Sequence, residues 1–96
     1  MYAQMSMITL GPGTRSSAEK LAEQFDPILK TFKGFKKVTF FGDDAVGEYG
    51  SLSIWESKED AESAAVVLSK KLEQAVSGIA KVPPVRKIFE VYEPKA

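Results

Sequence analysis

The chain contains no cysteine, no histidine and no asparagine. Without cysteine it can form neither a disulfide nor a thiolate nucleophile nor a zinc–thiolate centre. Without histidine it lacks the commonest general base and the commonest metal ligand. We therefore expect no metal and no cofactor, and any chemistry must come from tyrosine, arginine, carboxylates and hydroxyl groups.

Excess charge of one sign and long apolar runs are also missing. Thirteen Lys and Arg residues balance 13 Asp and Glu residues, which gives no reason to expect long-range attraction to phosphate polymers, so we expect no nucleic-acid partner. No apolar run approaches the roughly 20 residues that span a bilayer, and no basic segment precedes an apolar one at the start. These features predict a cytoplasmic protein without a membrane segment, and 96 residues predict a single domain, 1–96, with a small core.

The clearest local pattern is that of residues 50–61, which predicts a strand followed directly by a helix. Apolar and small polar residues alternate up to Trp55, which is the period of a strand with two different faces. Ser57 and Asp60 then form a capping box at the start of a helix. Gly42, Asp43 and Asp44 are typical turn residues, so the strand before this one should form a hairpin with it.

The order of elements follows from similar local patterns. Pro27 lies inside the first helix and should bend it, and Gly34 should be its left-handed cap. The predicted elements are a strand over residues 1–10, a helix from Ser16 to Gly34, strands over 35–41 and 46–55, a helix from Ser57 to Gly78, and a strand over 85–93. The order is βαββαβ.

Two helices can cover only one face of a four-stranded antiparallel sheet. The strands over 35–41 and 85–93 nevertheless carry large apolar residues on both faces. Because two-fold dimers are the commonest way to close such a surface, we expect a homodimer whose sheets pack face to face.

Four segments carry a further signature: Gly11-Pro12-Gly13 after the first strand, Lys33-Gly34-Phe35 after the first helix, Ile54-Trp55-Glu56-Ser57 before the second helix, and residues 85–91 at the end. In this order they resemble antibiotic biosynthesis monooxygenases of the dimeric α/β-barrel superfamily. The resemblance covers nearly the whole chain. It implies an α+β, ferredoxin-like fold with two helices on one face of a four-stranded antiparallel sheet, assembled as a dimeric α/β barrel.

Members of that family with known chemistry oxidise aromatic polyketides or quinols without metal or flavin. The resemblance thus implies a cofactor-independent monooxygenase acting on a small aromatic substrate of the quinol or anthrone type. A related branch degrades haem with an Asn, a Trp and a His, which fall here on Ser6, Ala64 and Gln74, so haem degradation is not expected. The polyketide oxidisers also use an Asn that is absent here. The alternative is a non-catalytic homodimer that binds a small ligand.

The same order of elements resembles the RNA-recognition motif, whose third strand presents stacking aromatic residues. Residues 48–55 are similar to its core signature in part. Ser51 stands where a stacking aromatic is expected, however, and residues 7–10 of the first strand offer none. An RNA-binding domain is the least favoured interpretation.

Candidate site residues lie on two strands. Tyr49, Ser51, Ser53 and Trp55 share one face, so two small residues between two aromatic ones predict a hollow for a flat aromatic ligand, although a core anchor is the simpler interpretation of Trp55. A phenol both donates and accepts, and an arginine can orient a phenolate or carboxylate. The expected site has two catalytic residues, Tyr49 and Arg86, and four substrate-binding residues, Ser51, Ser53, Trp55 and Tyr92.

Overall fold

A computed structural model describes residues 1–95 and has the predicted βαββαβ order. The elements are β1 (Tyr2–Thr9), α1 (Arg15–Leu29), β2 (Phe35–Asp43), β3 (Glu48–Trp55), α2 (Lys58–Val76) and β4 (Val85–Glu90). The strands lie in the order β2-β3-β1-β4, and all neighbours are antiparallel. The fold is therefore ferredoxin-like and α+β, as the sequence predicts. Within residues 1–95, neither helix is long and apolar enough to cross a membrane.

The registers between strands decide which side chains face the helices. Ser6 on β1 pairs with Ser51 on β3 and with Arg86 on β4, so these three form one row across the sheet. Burial is concentrated on this side, where Tyr49 and Trp55 also point. The predicted shared face of the four β3 residues is confirmed. The opposite side of the sheet, which neither helix covers, is called the outer face below.

The core lies where α2 meets the sheet. Trp55 is fully buried, and its ring makes edge-to-face contacts with Phe32 and Phe35 at centroid distances of 6.3 and 5.5 Å. The predicted cap of α2 is confirmed, because Ser57 Oγ accepts from the Asp60 N–H at 3.1 Å. The helix ends at Val76, two residues before Gly78. Its buried side is built largely from small and medium residues, namely Ala61, Ala64, Leu68, Leu72 and Val76.

The predicted start of α1 at Ser16 is wrong. The helix begins at Arg15 after Thr14, whose hydroxyl makes no capping bond and instead donates to the Gly11 carbonyl at 2.7 Å. The free Arg15 N–H donates to Asp44 Oδ1 at 3.0 Å. A carboxylate from the β2–β3 turn thus takes the capping role, which a local pattern could not reveal because the partner lies far away in the sequence.

The end of α1 also differs from the prediction. The helix runs through Pro27 and ends at Leu29, where the chain turns and Thr31 N–H donates to the Ile28 carbonyl at 3.1 Å. Gly34 does adopt the left-handed conformation, with φ of 83°, but it introduces β2 and does not cap the helix.

The β2–β3 hairpin was predicted correctly, with shifted ends. Strand β2 ends at Asp43, and β3 begins at Glu48. The Asp43 Oδ1 accepts from the Ala45 N–H at 3.1 Å, as expected of a turn residue. The Gly47 carbonyl accepts from Leu10 N–H at 2.8 Å and Gly11 N–H at 3.3 Å. These bonds fix the turn against the loop before α1.

Candidate ligand-binding site

A cavity of about 340 Å³ lies between the sheet and the two helices. Its walls are mostly apolar and come from α1, α2 and the sheet, namely Ile8, Ala18, Leu21, Phe25, Phe40 and Leu68. Residues Arg15 and Glu19, which also line it, form an exposed ion pair with Nε and Oε2 3.5 Å apart. The volume lies within the range of small-molecule sites, and the walls suit an apolar ligand.

Small hydroxyl side chains form the floor of the cavity. Ser6 Oγ and Ser51 Oγ lie 3.2 Å apart across the β1–β3 pair, so either can donate to the other. Ser53 also lines the cavity, and its hydroxyl donates to the Gln4 carbonyl at 3.2 Å. Because serine fills little space, the room above these strands is left open for a ligand.

Arg86 brings a positive charge to this floor. Its side chain is half-buried, lines the cavity and donates through Nη1 to Gln4 Oε1. Gln4 is fully buried, and its Nε2 donates to the Ala61 carbonyl at 3.0 Å, so the amide ties the arginine to α2. Burial lowers the pKa of Arg86 to about 10, and the guanidinium stays charged at neutral pH. Within residues 1–95 it has no carboxylate within 4.0 Å.

Tyr49 lies at the end of the cavity near the start of α1. Its ring is buried, and a side chain at its cross-strand partner Gly42 would collide with it. The phenol donates to Asp44 Oδ1, and Thr14 Oγ1 lies 3.4 Å from the phenol oxygen. Burial first, and then the hydrogen bond to Asp44, raise the pKa of Tyr49, so the phenol is neutral at physiological pH.

The structure brings four of the six expected site residues to the cavity: Tyr49, Ser51, Ser53 and Arg86. Trp55 does not line it. Its ring lies in the core and its Nε1 donates to Ser53 Oγ at 2.8 Å, which matches the core-anchor interpretation. Tyr92 is 86% exposed and follows the end of β4, whose last ladder pair joins Glu90 to Tyr2, so it too lies outside the cavity lining.

Sequence reasoning missed the apolar walls of the cavity and also three polar residues that contact the predicted ones. Gln4 and Ser6 lie on β1, and only the register of that strand places them beside Arg86. Asp44 was interpreted as a turn residue, whereas its carboxylate reaches both Tyr49 and the start of α1. The spacing of Asp44 five residues before Tyr49 across a hairpin is the one local signal that could have suggested the contact.

The chain matches no family model and no curated protein. Solved structures that are similar to it include the following three. A monooxygenase from the gene ActVA-Orf6 of Streptomyces coelicolor, in complex with the ligand nanaomycin D, is 18% identical, with a TM-score of 0.76 over 99% of this chain and 90% of that one. SnoaB, a cofactor-independent oxygenase from Streptomyces nogalater, is 12% identical, with a TM-score of 0.74 over 97% and 94%.

The third is a protein of Deinococcus radiodurans assigned provisionally to the antibiotic biosynthesis monooxygenases. It is 9% identical, with a TM-score of 0.79 over 100% of this chain and 97% of that one. At these identities the likeness concerns the fold. This chain has the fold of the antibiotic biosynthesis monooxygenases, as the sequence resemblance implied.

Proposed function

We propose that this protein is a cofactor-independent monooxygenase that acts on a small, flat, electron-rich aromatic substrate of the quinol or anthrone type. The observation that carries the proposal is the mostly apolar cavity with the guanidinium of Arg86 on its floor, which has no ion-pair partner within residues 1–95. Such a site binds an aromatic ring system and stabilises one negative oxygen on it. Solved structures with the same fold include a monooxygenase in complex with nanaomycin D and a cofactor-independent oxygenase, which supports the choice of reaction.

The proposed reaction needs no redox group from the protein. For an anthrone, the methylene carbon loses two hydrogens and gains one oxygen atom as a carbonyl, and the second oxygen atom of O₂ leaves as water. The substrate supplies all four electrons. The protein contributes orientation in a mostly apolar cavity and a cation beside the oxygen that becomes negative when the substrate ionises.

Oxygen uptake tests the proposal directly. We expect the protein to accelerate oxygen consumption by anthrone well above the rate in buffer, and mass spectrometry with ¹⁸O₂ to show one labelled atom in the anthraquinone formed. Ser51→Leu fills the floor of the cavity and should abolish the acceleration. The matched control is Ser63→Leu, the same change at an exposed position of α2, which should leave the rate unchanged.

The second candidate is a non-catalytic binding protein, which the absence of histidine, cysteine and asparagine favours. It predicts that a non-oxidisable analogue such as anthraquinone binds and that Ser51→Leu prevents binding, while anthrone is oxidised no faster than in buffer. That combination of results would replace the monooxygenase proposal by the binding protein.

We also propose that the protein is a homodimer joined through the outer face. The outer face carries several large apolar side chains that no described residue covers. Leu52 is 39%, Val85 48% and Phe89 46% exposed. The register places Leu52 beside Met5, and Phe89 beside Ala3, so these residues form one continuous surface. A surface of this kind on a small domain is typical of an interface.

A further inference from the structure

We propose that Tyr49 and Asp44 form a proton relay that removes a proton from the ligand in the cavity and passes it towards solvent. The proposal rests on the proposed function, because it assigns the base that ionises the substrate. Tyr49 is the catalytic residue that contacts the ligand, and Asp44 is the positioning residue that acts through it.

The two side chains connect the interior of the protein with its surface. The Tyr49 ring is 6% exposed and lines the cavity, whereas Asp44 is an exposed residue of the β2–β3 turn. The phenol donates its proton to Asp44 Oδ1. A proton that leaves the buried phenol therefore arrives on a carboxylate that water can reach.

The phenol oxygen of Tyr49 keeps the capacity to accept a proton. Thr14 has one hydroxyl hydrogen, and the Gly11 carbonyl at 2.7 Å is a closer acceptor for it than the phenol oxygen at 3.4 Å. With its own hydrogen given to Asp44, Tyr49 can accept from a ligand. The raised pKa of Tyr49 supports this role, since a neutral phenol passes on one proton as it receives another.

The step balances in atoms and charge. The C–H bond of an anthrone methylene, or the O–H bond of a quinol, breaks and a new O–H bond forms on Tyr49. The former Tyr49 O–H bond breaks and an O–H bond forms on Asp44. The carboxylate loses its negative charge, the ligand gains one, and the Arg86 guanidinium stabilises the new anion.

The spacing of Tyr49 and Arg86 fits a ring system between them. Tyr49 pairs with Ile8, and Ser6 pairs with Arg86, so Tyr49 and Arg86 are two strands apart across the sheet and two residues apart along it. With ordinary strand spacing, their α carbons are about 12 Å apart. A flat ligand between them can give up its proton at one end and carry its negative oxygen at the other.

Hydrogen–deuterium exchange at the anthrone methylene tests the relay without oxygen. In anaerobic D₂O we expect the protein to accelerate the exchange, measured by NMR. Asp44→Asn keeps an oxygen that can accept from Tyr49 and from the Arg15 N–H, but it removes the base, so catalysed exchange should fall about 100-fold. Tyr49→Phe should cause a similar loss. The affinity for anthraquinone should change less than twofold in Asp44→Asn, which separates this effect from a loss of structure.

The matched control is Asp43→Asn, the same change at the neighbouring turn residue. It should retain wild-type exchange, because Asp43 Oδ1 accepts from the Ala45 N–H within the turn and not from Tyr49. Exchange in Asp44→Asn within twofold of wild type would overturn the relay. So would wild-type exchange in Tyr49→Phe, since Asp44 would then act on the ligand directly. Exchange without oxygen uptake would support the relay and contradict the monooxygenase. Oxygen uptake without exchange would do the reverse.

Discussion

At the scale of single residues, Arg86 is the one that we expect to decide the choice of ligand in the proposed site. It is half-buried among apolar walls, it has no ion-pair partner within residues 1–95, and its hydrogen bond to Gln4 joins it to a neutral group. A buried cation with only neutral partners is costly for the folded protein. An anionic ligand offsets that cost, so the site should discriminate between ligands by charge as well as by shape.

We expect the protein to bind 2-naphthoate more tightly than the neutral 2-naphthamide, measured by calorimetry. Arg86→Gln can still donate to Gln4 Oε1 and should lose about 2 kcal/mol of naphthoate affinity, roughly thirtyfold in Kd, with little effect on the amide. Because burial lowers the pKa of Arg86 to about 10, naphthoate affinity should be constant from pH 6 to 9 and weaken above about pH 10, where the guanidinium loses its proton.

The exposed change Lys70→Gln removes one positive charge from the protein without touching the cavity, and it is the control for general electrostatics. Equal loss of naphthoate affinity in Lys70→Gln and Arg86→Gln, or equal affinity of the wild type for the acid and the amide, would contradict a specific role for Arg86.

At the scale of elements, the β2–β3 turn contacts the loop before α1 beside the part of the cavity that Asp44 and Tyr49 line. Gly47 lies in the turn with φ of 72°, and a side chain there would overlap the backbone of Gly11. The same contact includes the Gly13 N–H, which donates to the Asp44 carbonyl at 3.1 Å. The turn, the loop and the start of α1 therefore hold one another in place.

Variants at two glycines separate the effect of backbone strain on stability from the effect of losing the contact between the turn and the loop. Gly13 is also left-handed, with φ of 76°, but apart from its chain neighbours no residue of 1–95 lies within 4 Å of an added methyl group. We expect Gly13→Ala to lower the free energy of unfolding by about 1 kcal/mol through strain alone. Gly47→Ala should lower it by at least about 3 kcal/mol, since backbone atoms must also move apart. Urea denaturation measures both, and similar losses would mean that the turn can move away from the loop freely.

Local patterns in the sequence predicted the elements well and their long-range contacts poorly. The order βαββαβ, the Ser57 cap and the shared face of Tyr49 and Ser51 depend on neighbours in the chain, and all are confirmed. The start of α1 could not be predicted, because Asp44 reaches it from a distant hairpin. The link from Arg86 through Gln4 to α2 likewise needs the strand register, which no single segment encodes.

For the whole molecule, the proposed homodimer has its interface on the outer face. We expect light scattering at micromolar concentration to give about 21 kDa, twice the chain mass of 10.5 kDa. Leu52→Glu puts a charge beside Met5 on the outer face and should give a monomer, because a buried unpaired carboxylate is unfavourable. Val66→Glu, at a 73% exposed position of α2, should leave the mass unchanged. A wild-type mass near 10.5 kDa would contradict the homodimer.

The cavity links the stability of the protein to its ability to bind a ligand. Protein interiors are normally packed as densely as organic crystals, so a cavity of about 340 Å³ beside a small core lacks some of the dispersion and hydrophobic energy that larger side chains would supply. Larger apolar side chains at Ser6 or Ser51 would recover part of that energy and remove the space for a ligand. Substitutions at these two positions that raise thermostability should therefore weaken ligand binding, and selection for either property will tend to reduce the other.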